Sequence, residues 1–329
     1  MFLRPAGLSL RDLPPPCFDE AAKAWLAGFC SICDWVASNE EVSPFQAPQP
    51  EVPLREYFDR RTKAIRDGDW LSRLGLKGAP QDFAGVGALL AEAEAPRGVQ
   101  VLVPDLPAKP SLVLIEAPTG SGKTAAALAH AWRLLAAGWA EGIVFALPTQ
   151  ATANAMFERI ARFAARAFGA ASVVLARGRS EHHEGFRRLQ QAGGNEGYAS
   201  AGLQCTQWLA QSRKRAFLGQ TGVCTIDQAL LSVLPVRHKF VRGFALARSA
   251  LIVDEVDAYD AYMHGLLAEL LRRQKAVGGS AILLSATLPA SVAMFLPGGI
   301  TSKLPKLLQL YHRGCLSVGI CASVARNDL

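Results

Sequence analysis

A glycine-containing loop carries the clearest chemistry in the sequence. It follows a short apolar run at residues 112–115, which predicts a buried strand, and it leads into an alanine- and leucine-rich run that predicts a helix. A strand, a glycine loop and a helix in this order present backbone N–H groups and a helix N-terminus to anionic oxygens. The predicted phosphate-binding residues are Ala117, Pro118, Thr119, Gly120, Ser121, Gly122, Lys123 and Thr124.

The last two residues of this loop have the types that a nucleoside triphosphate site needs. We expect the Lys123 ammonium to contact the β- and γ-phosphates and the Thr124 hydroxyl to hold Mg²⁺. Ala117 stands where the usual pattern has a glycine, and its small side chain is compatible with the same role. The alternative is a glycine turn between an ordinary strand and helix. The full context favours a nucleoside triphosphate site.

Two adjacent carboxylates, Asp254 and Glu255, follow an apolar run at residues 251–253. In open parallel sheets ligands bind at the carboxyl ends of the strands, which is where both side chains are predicted to lie. We expect Asp254 to hold Mg²⁺ and Glu255 to orient and deprotonate the attacking water. The alternative is a solvated acidic turn after a strand. Together with Lys123, these two residues form the predicted catalytic set.

The elements that position these residues alternate from residue 112 onward. The predicted strands cover residues 112–115, 143–147, 172–175, 222–226, 250–253 and 281–284. The predicted helices between them cover residues 124–137, 151–168, 228–234 and 261–274. This alternation predicts an α/β fold with a mainly parallel sheet, covered by helices on both faces and connected by right-handed crossovers. Earlier in the chain we predict one helix or two short ones at residues 18–38, helices at residues 55–75 and 80–97, and a linker at residues 43–53.

Composition narrows the class of protein. The chain has 329 residues, 50% of them hydrophobic, and a net charge of +7, which weakly favours an anionic partner. Two basic clusters, residues 211–215 beside Trp208 and residues 237–239 with Arg242, fit either a nucleic-acid track or a solvated face. Seven scattered cysteines favour a reducing cytosol, and we expect a cytoplasmic protein without a secretory signal or a membrane span.

Five motifs in order resemble the first motor lobe of a superfamily 2 helicase. They are A-P-T-G-S-G-K-T at 117–124, P-T-Q-A-T-A-N-A-M at 148–156, T-I-D-Q-A-L-L at 225–231, D-E-V-D-A-Y-D at 254–260 and S-A-T-L-P at 285–289. The third and fourth motifs resemble, more narrowly, the helicase–nuclease family of type I CRISPR interference. The resemblance implies a RecA-like lobe that binds ATP and Mg²⁺. In the full protein it implies translocation on single-stranded DNA and a CRISPR effector complex as partner.

The resemblance also implies roles outside the phosphate loop. Gln100 would read the adenine base, and Asp257 stands where the family usually has His. The segment that would couple ATP to nucleic acid consists of Ser285, Ala286 and Thr287. The residues that would contact the DNA backbone are Thr149, Gln150, Arg177, Gly178, Thr225, Asp227 and Gln228. For each of these single residues, ordinary loop capping is the alternative.

The nuclease part of that family matches only weakly. Residues 27–39 resemble the closing helix of its nuclease domain, and Asp34 matches the last metal ligand, but the sequence has no His-Asp dipeptide. We therefore expect no nuclease activity from this chain. Cys30 and Cys33 form half of a zinc motif whose second pair is missing.

The resemblance divides the chain into four parts. Residues 1–42 are a helical remnant of the nuclease domain, residues 43–78 a linker and helix, residues 79–299 the first RecA-like lobe, and residues 300–329 a tail. Nothing after residue 289 resembles a second lobe, so we expect weak ATP turnover from this chain alone. Two alternatives stay open: a non-catalytic module that binds nucleic acid or the effector complex with a vestigial ATP site, and an unrelated P-loop ATPase.

Overall fold

The computed structural model describes residues 19–38, 51–67, 70–169, 171–176, 203–204, 206–210, 215–287 and 317–322. The strands are β1 (Ser111–Glu116), β2 (Gly142–Leu147), β3 (Ala171–Ala176), β4 (Leu203–Gln204), β5 (Thr221–Thr225), β6 (Ser249–Val253), β7 (Ser280–Ser285) and β8 (Ser317–Ala322). The helices are α1 (Glu20–Ala37), α2 (Leu54–Asp67), α3 (Trp70–Arg73), α4 (Lys123–Ala136), α5 (Gln150–Phe168), α6 (Gln207–Ala210), α7 (Ile226–Leu230), α8 (Lys239–Ala247) and α9 (Ala261–Ala276).

The described strands form one sheet in the order β4-β3-β5-β2-β6-β7-β1-β8. Neighbouring strands are parallel except at one edge, where β8 pairs antiparallel with β1. The central strands β2, β5, β6 and β7 are buried along their whole length, which is why β2, β6 and β7 contain continuous apolar runs rather than alternating ones. The predicted α/β fold with a mainly parallel sheet is confirmed.

Helices cover both faces of this sheet. The connections from β1 to β2 and from β2 to β3 cross the sheet in one direction, so right-handed crossovers place α4 and α5 on the same face. Trp132 of α4 and Phe163 of α5 meet edge to face with ring centroids 6.3 Å apart. The connections from β5 to β6 and from β6 to β7 run back across the sheet, and they place α7, α8 and α9 on the opposite face. Helices α4 and α5 therefore lie side by side on one face of the sheet.

The N-terminal helix α1 packs on α8. Gly28 permits the close approach, because a Cβ at this position would overlap the Phe240 carbonyl oxygen and lie 2.6 Å from the Phe244 Cβ. The Trp25 and Phe29 rings lie 4.9 and 6.0 Å from the Phe244 ring, measured between centroids. This aromatic contact attaches α1 to the helices that cover the sheet.

Several elements differ from the sequence predictions, whereas the first predicted helix is observed. Ile226 opens α7 instead of ending β5, because Thr225 already has the extended conformation of a helix cap. Helix α8 was not predicted, and residues 80–97 contain a 3₁₀ turn at Val86–Leu89 instead of the predicted helix. Strand β8 lies in the predicted tail. Helix α1 is one continuous helix that begins after Asp19, whose carboxylate accepts the Ala22 N–H at 2.7 Å.

Candidate nucleotide site

Three of the predicted motifs converge at the carboxyl edge of the sheet. Strands β6, β7 and β1 are neighbours, so the segments that follow them lie next to one another. The Ala117 N–H donates to the Ser285 carbonyl at 3.2 Å, and the Asp254 N–H donates to the Ala146 carbonyl at 2.9 Å. The phosphate loop, the acidic pair and the segment from Ser285 to Thr287 are therefore parts of one site.

The phosphate loop has the backbone geometry that its glycines allow. Gly120 and Gly122 have φ values of +80° and +87°, which are strained for residues with a side chain. Gly122 directly precedes α4, and a Cβ there would overlap the Gln100 side-chain amide. Ala117, at the position where a glycine is usual, is fully buried at the end of β1. The loop therefore turns tightly and exposes Thr119 and Gly120 at its tip.

The Lys123 ammonium lies inside this loop. It donates to the carbonyl oxygens of Ala117 and Pro118, the latter at 3.1 Å. Thr124 follows on the first turn of α4 and lines the same cleft. An ammonium group at the centre of the loop and a hydroxyl beside it provide the charge and the oxygen donor predicted for a triphosphate with its metal ion.

Gln100 is buried against the loop. Its Oε1 accepts the Arg97 N–H at 3.0 Å, and its Nε2 donates to the Gly122 carbonyl at 3.5 Å. The side chain also lines the cleft. Recognition of adenine by Gln100 stays a prediction. The structure shows in addition that its side chain contacts the phosphate loop at Gly122.

The acidic pair faces the loop across the cleft. Burial raises the pKa of the Asp254 carboxyl; the charges of Glu255 and Asp257 act in the same direction, whereas the Glu255 N–H and Lys123 lower it. A raised pKa means that the protein alone does not fully stabilise the ionised carboxylate. A bound cation would compensate this negative charge. The carboxylate of Asp254 and the hydroxyl of Thr124 are hard oxygen ligands of the kind that Mg²⁺ prefers.

Asp257 links the acidic motif to the end of β7. Its Oδ1 accepts a hydrogen bond from the Ser285 hydroxyl at 2.8 Å and another from the Ala286 N–H at 3.3 Å. The Ser285 hydroxyl also lies 2.9 Å from the Thr287 carbonyl oxygen. A hydroxyl donates one proton, so Ser285 can donate either to Asp257 or to Thr287. The aspartate at the usual histidine position thus makes a direct contact with the coupling segment.

The cleft contains a charged residue that the sequence analysis did not identify. Arg159 lies on α5, one turn before Phe163, and lines a cleft of about 590 Å³ together with Lys123 and Asp254. Partial desolvation lowers the pKa of Arg159, and Arg162 acts in the same direction, whereas the charge of Asp254 opposes both. Its place depends on the side-by-side packing of α4 and α5, for which the local sequence gives no signal.

The predicted DNA contacts lie at the ends of two paired strands. Leu147 of β2 pairs with Thr225 of β5, so Thr149 and Gln150 lie near Thr225, Asp227 and Gln228. The Thr149 hydroxyl caps α5 by accepting the Thr152 N–H at 3.2 Å, and the buried Thr225 hydroxyl donates to Asp227 Oδ2 at 3.0 Å. Capping, the alternative reading, is thus observed for Thr149. Arg177 and Gly178 lie outside the described residues.

Several residues of the two basic clusters pack against the fold, whereas Arg237 is exposed. Arg215 stacks on Trp208 and Trp35, with its guanidinium carbon 4.4 and 5.4 Å from the two ring centroids. Trp208 and Arg242 are 5% and 6% exposed, so neither residue forms an open nucleic-acid track. The cation instead joins α1 to α6, because Trp35 belongs to the first helix and Trp208 to the second. For Trp208, Arg215 and Arg242 the structure thus shows packing within the fold, and residues 211–214 lie outside the described residues.

Two further features concern metals and membranes. Asp34, Cys30 and Cys33 lie on α1, and both thiols are exposed. In the part of the chain that the structure describes, no group of three or more His, Cys, Asp or Glu side chains could hold a metal ion. None of the described helices has the length and apolar character needed to cross a membrane.

Comparison with known proteins assigns a family. The sequence profile of the DEAD/DEAH box helicase family matches residues 100–295. The CRISPR-associated endonuclease/helicase Cas3 of Escherichia coli is 50% identical over 295 residues, which are 88% of this chain and 32% of that protein. The corresponding protein of Thermus thermophilus is 39% identical over 275 residues, which are 79% of this chain and 29% of that protein. The chain thus spans about a third of the length of these relatives.

Solved structures of the same kind share the fold. A crystal structure of T. fusca Cas3 with AMPPNP has a TM-score of 0.74 and 32% sequence identity, and it covers 87% of this chain and 32% of that one. A chain of a CRISPR RNA-guided surveillance complex, described as pre-nicking, has a TM-score of 0.56 and 30% identity, with 87% and 28% of the two chains covered.

Proposed function

The chain belongs to the DEAD/DEAH box helicase family and is homologous to Cas3 proteins, and we propose that it is the ATP-binding first motor lobe of a type I CRISPR helicase–nuclease. The observation that carries the proposal is the convergence of Lys123, Asp254 and Glu255 in one cleft at the carboxyl edge of the sheet. A strand-end glycine loop supports phosphate binding there. An acidic pair opposite the loop supports catalysis of phosphoryl transfer to water.

Each residue of the cleft has a role in this proposal. Lys123 exchanges the carbonyls of Ala117 and Pro118 for the β- and γ-phosphates, which are stronger partners for an ammonium group. Thr124 and Asp254 hold Mg²⁺, which neutralises phosphate charge when bound. Glu255 orients the attacking water and accepts its proton. Phosphoryl transfer requires little more than this positioning and charge neutralisation.

The coupling to DNA rests on the segments beside the nucleotide cleft. We propose that residues 149–150 and 225–228 contact the backbone of single-stranded DNA, with Arg177 and Gly178 in the same role. The contact of Asp257 with Ser285 and Ala286 supports coupling, since it joins the acidic motif to the strand end next to the phosphate loop. We further propose that the full protein acts with a CRISPR effector complex in the cytoplasm.

Turnover by this chain alone should be slow. The family resemblance implies that arginines of a second lobe complete the cleft, and loss of such an arginine costs roughly 10³–10⁵ in rate in related systems. We therefore propose ATP binding with weak hydrolysis, little stimulation by single-stranded DNA, and no nuclease activity.

Steady-state phosphate release, with and without single-stranded DNA, tests the proposal beside a Glu255→Gln variant. We expect slow release that depends on Glu255 and changes little when DNA is added. Brisk, DNA-stimulated release that Glu255→Gln abolishes would contradict the slow turnover. Release equal in both proteins would instead favour a non-catalytic module with a vestigial site.

A further inference from the structure

Glu255 has an unusual backbone conformation for a residue with a side chain. Its φ is +51°, in the left-handed region, which is strained for residues other than glycine. Such a conformation persists only where surrounding contacts hold it. Glu255 lines the nucleotide cleft, so the contacts that hold its backbone bear on the position of its carboxylate there.

The peptide group that precedes Glu255 is held at both ends. Its N–H donates to Asp254 Oδ1 at 2.9 Å, and its carbonyl accepts the Tyr259 hydroxyl at 2.9 Å. The φ of Glu255 is measured from the plane of this peptide, so fixing the plane fixes the direction of the side chain. The next peptide is also held, because the Glu255 carbonyl accepts the Ala258 N–H at 2.9 Å.

Tyr259 is itself firmly positioned. It is 7% exposed, and its ring lies beside that of His264 with centroids 6.1 Å apart. His264 Nε2 lies 2.9 Å from the Val256 carbonyl oxygen, which can only accept, so this nitrogen carries the proton. Burial raises the pKa of the Tyr259 phenol, and the nearby carboxylates act in the same direction, which keeps it a donor. Tyr259, just before α9, thus holds the Asp254 carbonyl, and His264, in the first turns of α9, holds the Val256 carbonyl.

We propose that Tyr259 is a positioning residue for catalysis, whose hydroxyl keeps Glu255 directed at the water that attacks the γ-phosphate. The inference rests on the proposed role of Glu255 and names a residue that acts through it. Without the hydroxyl, the Asp254 carbonyl loses its side-chain donor, and relaxation of Glu255 to a less strained backbone conformation is opposed by fewer contacts. A displacement of the carboxylate by about 1 Å can lower the rate about 10²-fold.

The test compares Tyr259→Phe, Glu255→Gln and the double variant. Single-turnover hydrolysis of labelled ATP with the chain in excess allows slow rates to be measured over hours. We expect Tyr259→Phe to lower the rate constant about ten- to a hundredfold and to leave the affinity for ATP within about twofold, because the phosphate loop is unchanged. On the Glu255→Gln background, Tyr259→Phe should cause no further loss, since a positioning residue has nothing left to position.

Tyr262→Phe is the matched control, because Tyr262 lies on α9 but is 67% exposed. It should leave the rate unchanged. A normal rate in Tyr259→Phe, alongside an impaired Glu255→Gln, would overturn the inference alone. A loss of the same factor on both backgrounds would show a general structural role and would also overturn it. A normal rate in Glu255→Gln would overturn the proposed function instead.

Discussion

A buried histidine behind the phosphate loop should make the stability of the lobe depend on pH. His130 lies on α4, is fully buried, and has no hydrogen-bond partner for either ring nitrogen among the described residues. Burial lowers its pKa from 6.5 to about 4, and the nearby Arg133 acts in the same direction. The folded chain thus keeps this imidazole neutral at a pH where the unfolded chain protonates it.

The sign and size of the effect follow from proton linkage. Below pH 6.5 the unfolded state binds a proton that the folded state does not, so the free energy of unfolding falls as the pH falls toward 4. Between pH 7 and pH 5 this single group should remove about 2 kcal/mol. That loss is a large fraction of the total stability of a typical domain.

Urea unfolding at pH 7 and pH 5, for the wild type and a His130→Leu variant, measures this contribution. Leucine retains a buried side chain and removes the titrating ring. We expect the wild type to lose about 2 kcal/mol more than the variant over this interval, whatever the carboxylates contribute to both. An equal loss in the two proteins would refute the assigned burial of a neutral His130.

Three other substitutions test separate contacts. Asp254→Asn should raise the melting temperature at pH 7 without nucleotide or metal, because a carboxyl with a raised pKa destabilises the fold once ionised; an unchanged or lower value would contradict this. Gly28→Ala should cost about 1–3 kcal/mol by urea unfolding through overpacking against α8, whereas Gly265→Ala on the open face of α9 should not destabilise. Arg159→Met should weaken Mg-ATP binding about tenfold, as measured by calorimetry. The exposed Arg162→Met is the control, and an equal loss of affinity in that variant would contradict a specific role for Arg159.

The sheet could be predicted because most of its strands can be identified from the local sequence alone. Strand β2 is a short, wholly apolar run, and the phosphate loop that contains Lys123 follows β1 directly. The order and spacing of these segments were therefore enough to predict the sheet and the loop. Helix α8 could not be predicted in the same way. It has nine residues with Gly243 inside, and part of its apolar surface packs on α1, which is far away in sequence.

The residues that the sequence did not reveal depend on contacts across the fold. Arg159 reaches the cleft only because α5 packs beside α4. Tyr259 acts through a backbone carbonyl, which any sequence would provide. Arg215 stacks on Trp208 and Trp35, which belong to two helices far apart in sequence, so its packing could not be predicted from the basic run in which it lies.

Calorimetric titration with Mg-ATP tests the central claim most directly. The claim is that the loop from Ala117 to Thr124 binds the triphosphate through Lys123, and Lys123→Ala removes the charge that faces the β- and γ-phosphates. The control is Lys109→Ala, since Lys109 is exposed just before β1, at the opposite edge of the sheet. We predict saturable binding by the wild type and the control, and an affinity at least about tenfold weaker in Lys123→Ala. Equal affinity of all three proteins would contradict the nucleotide site.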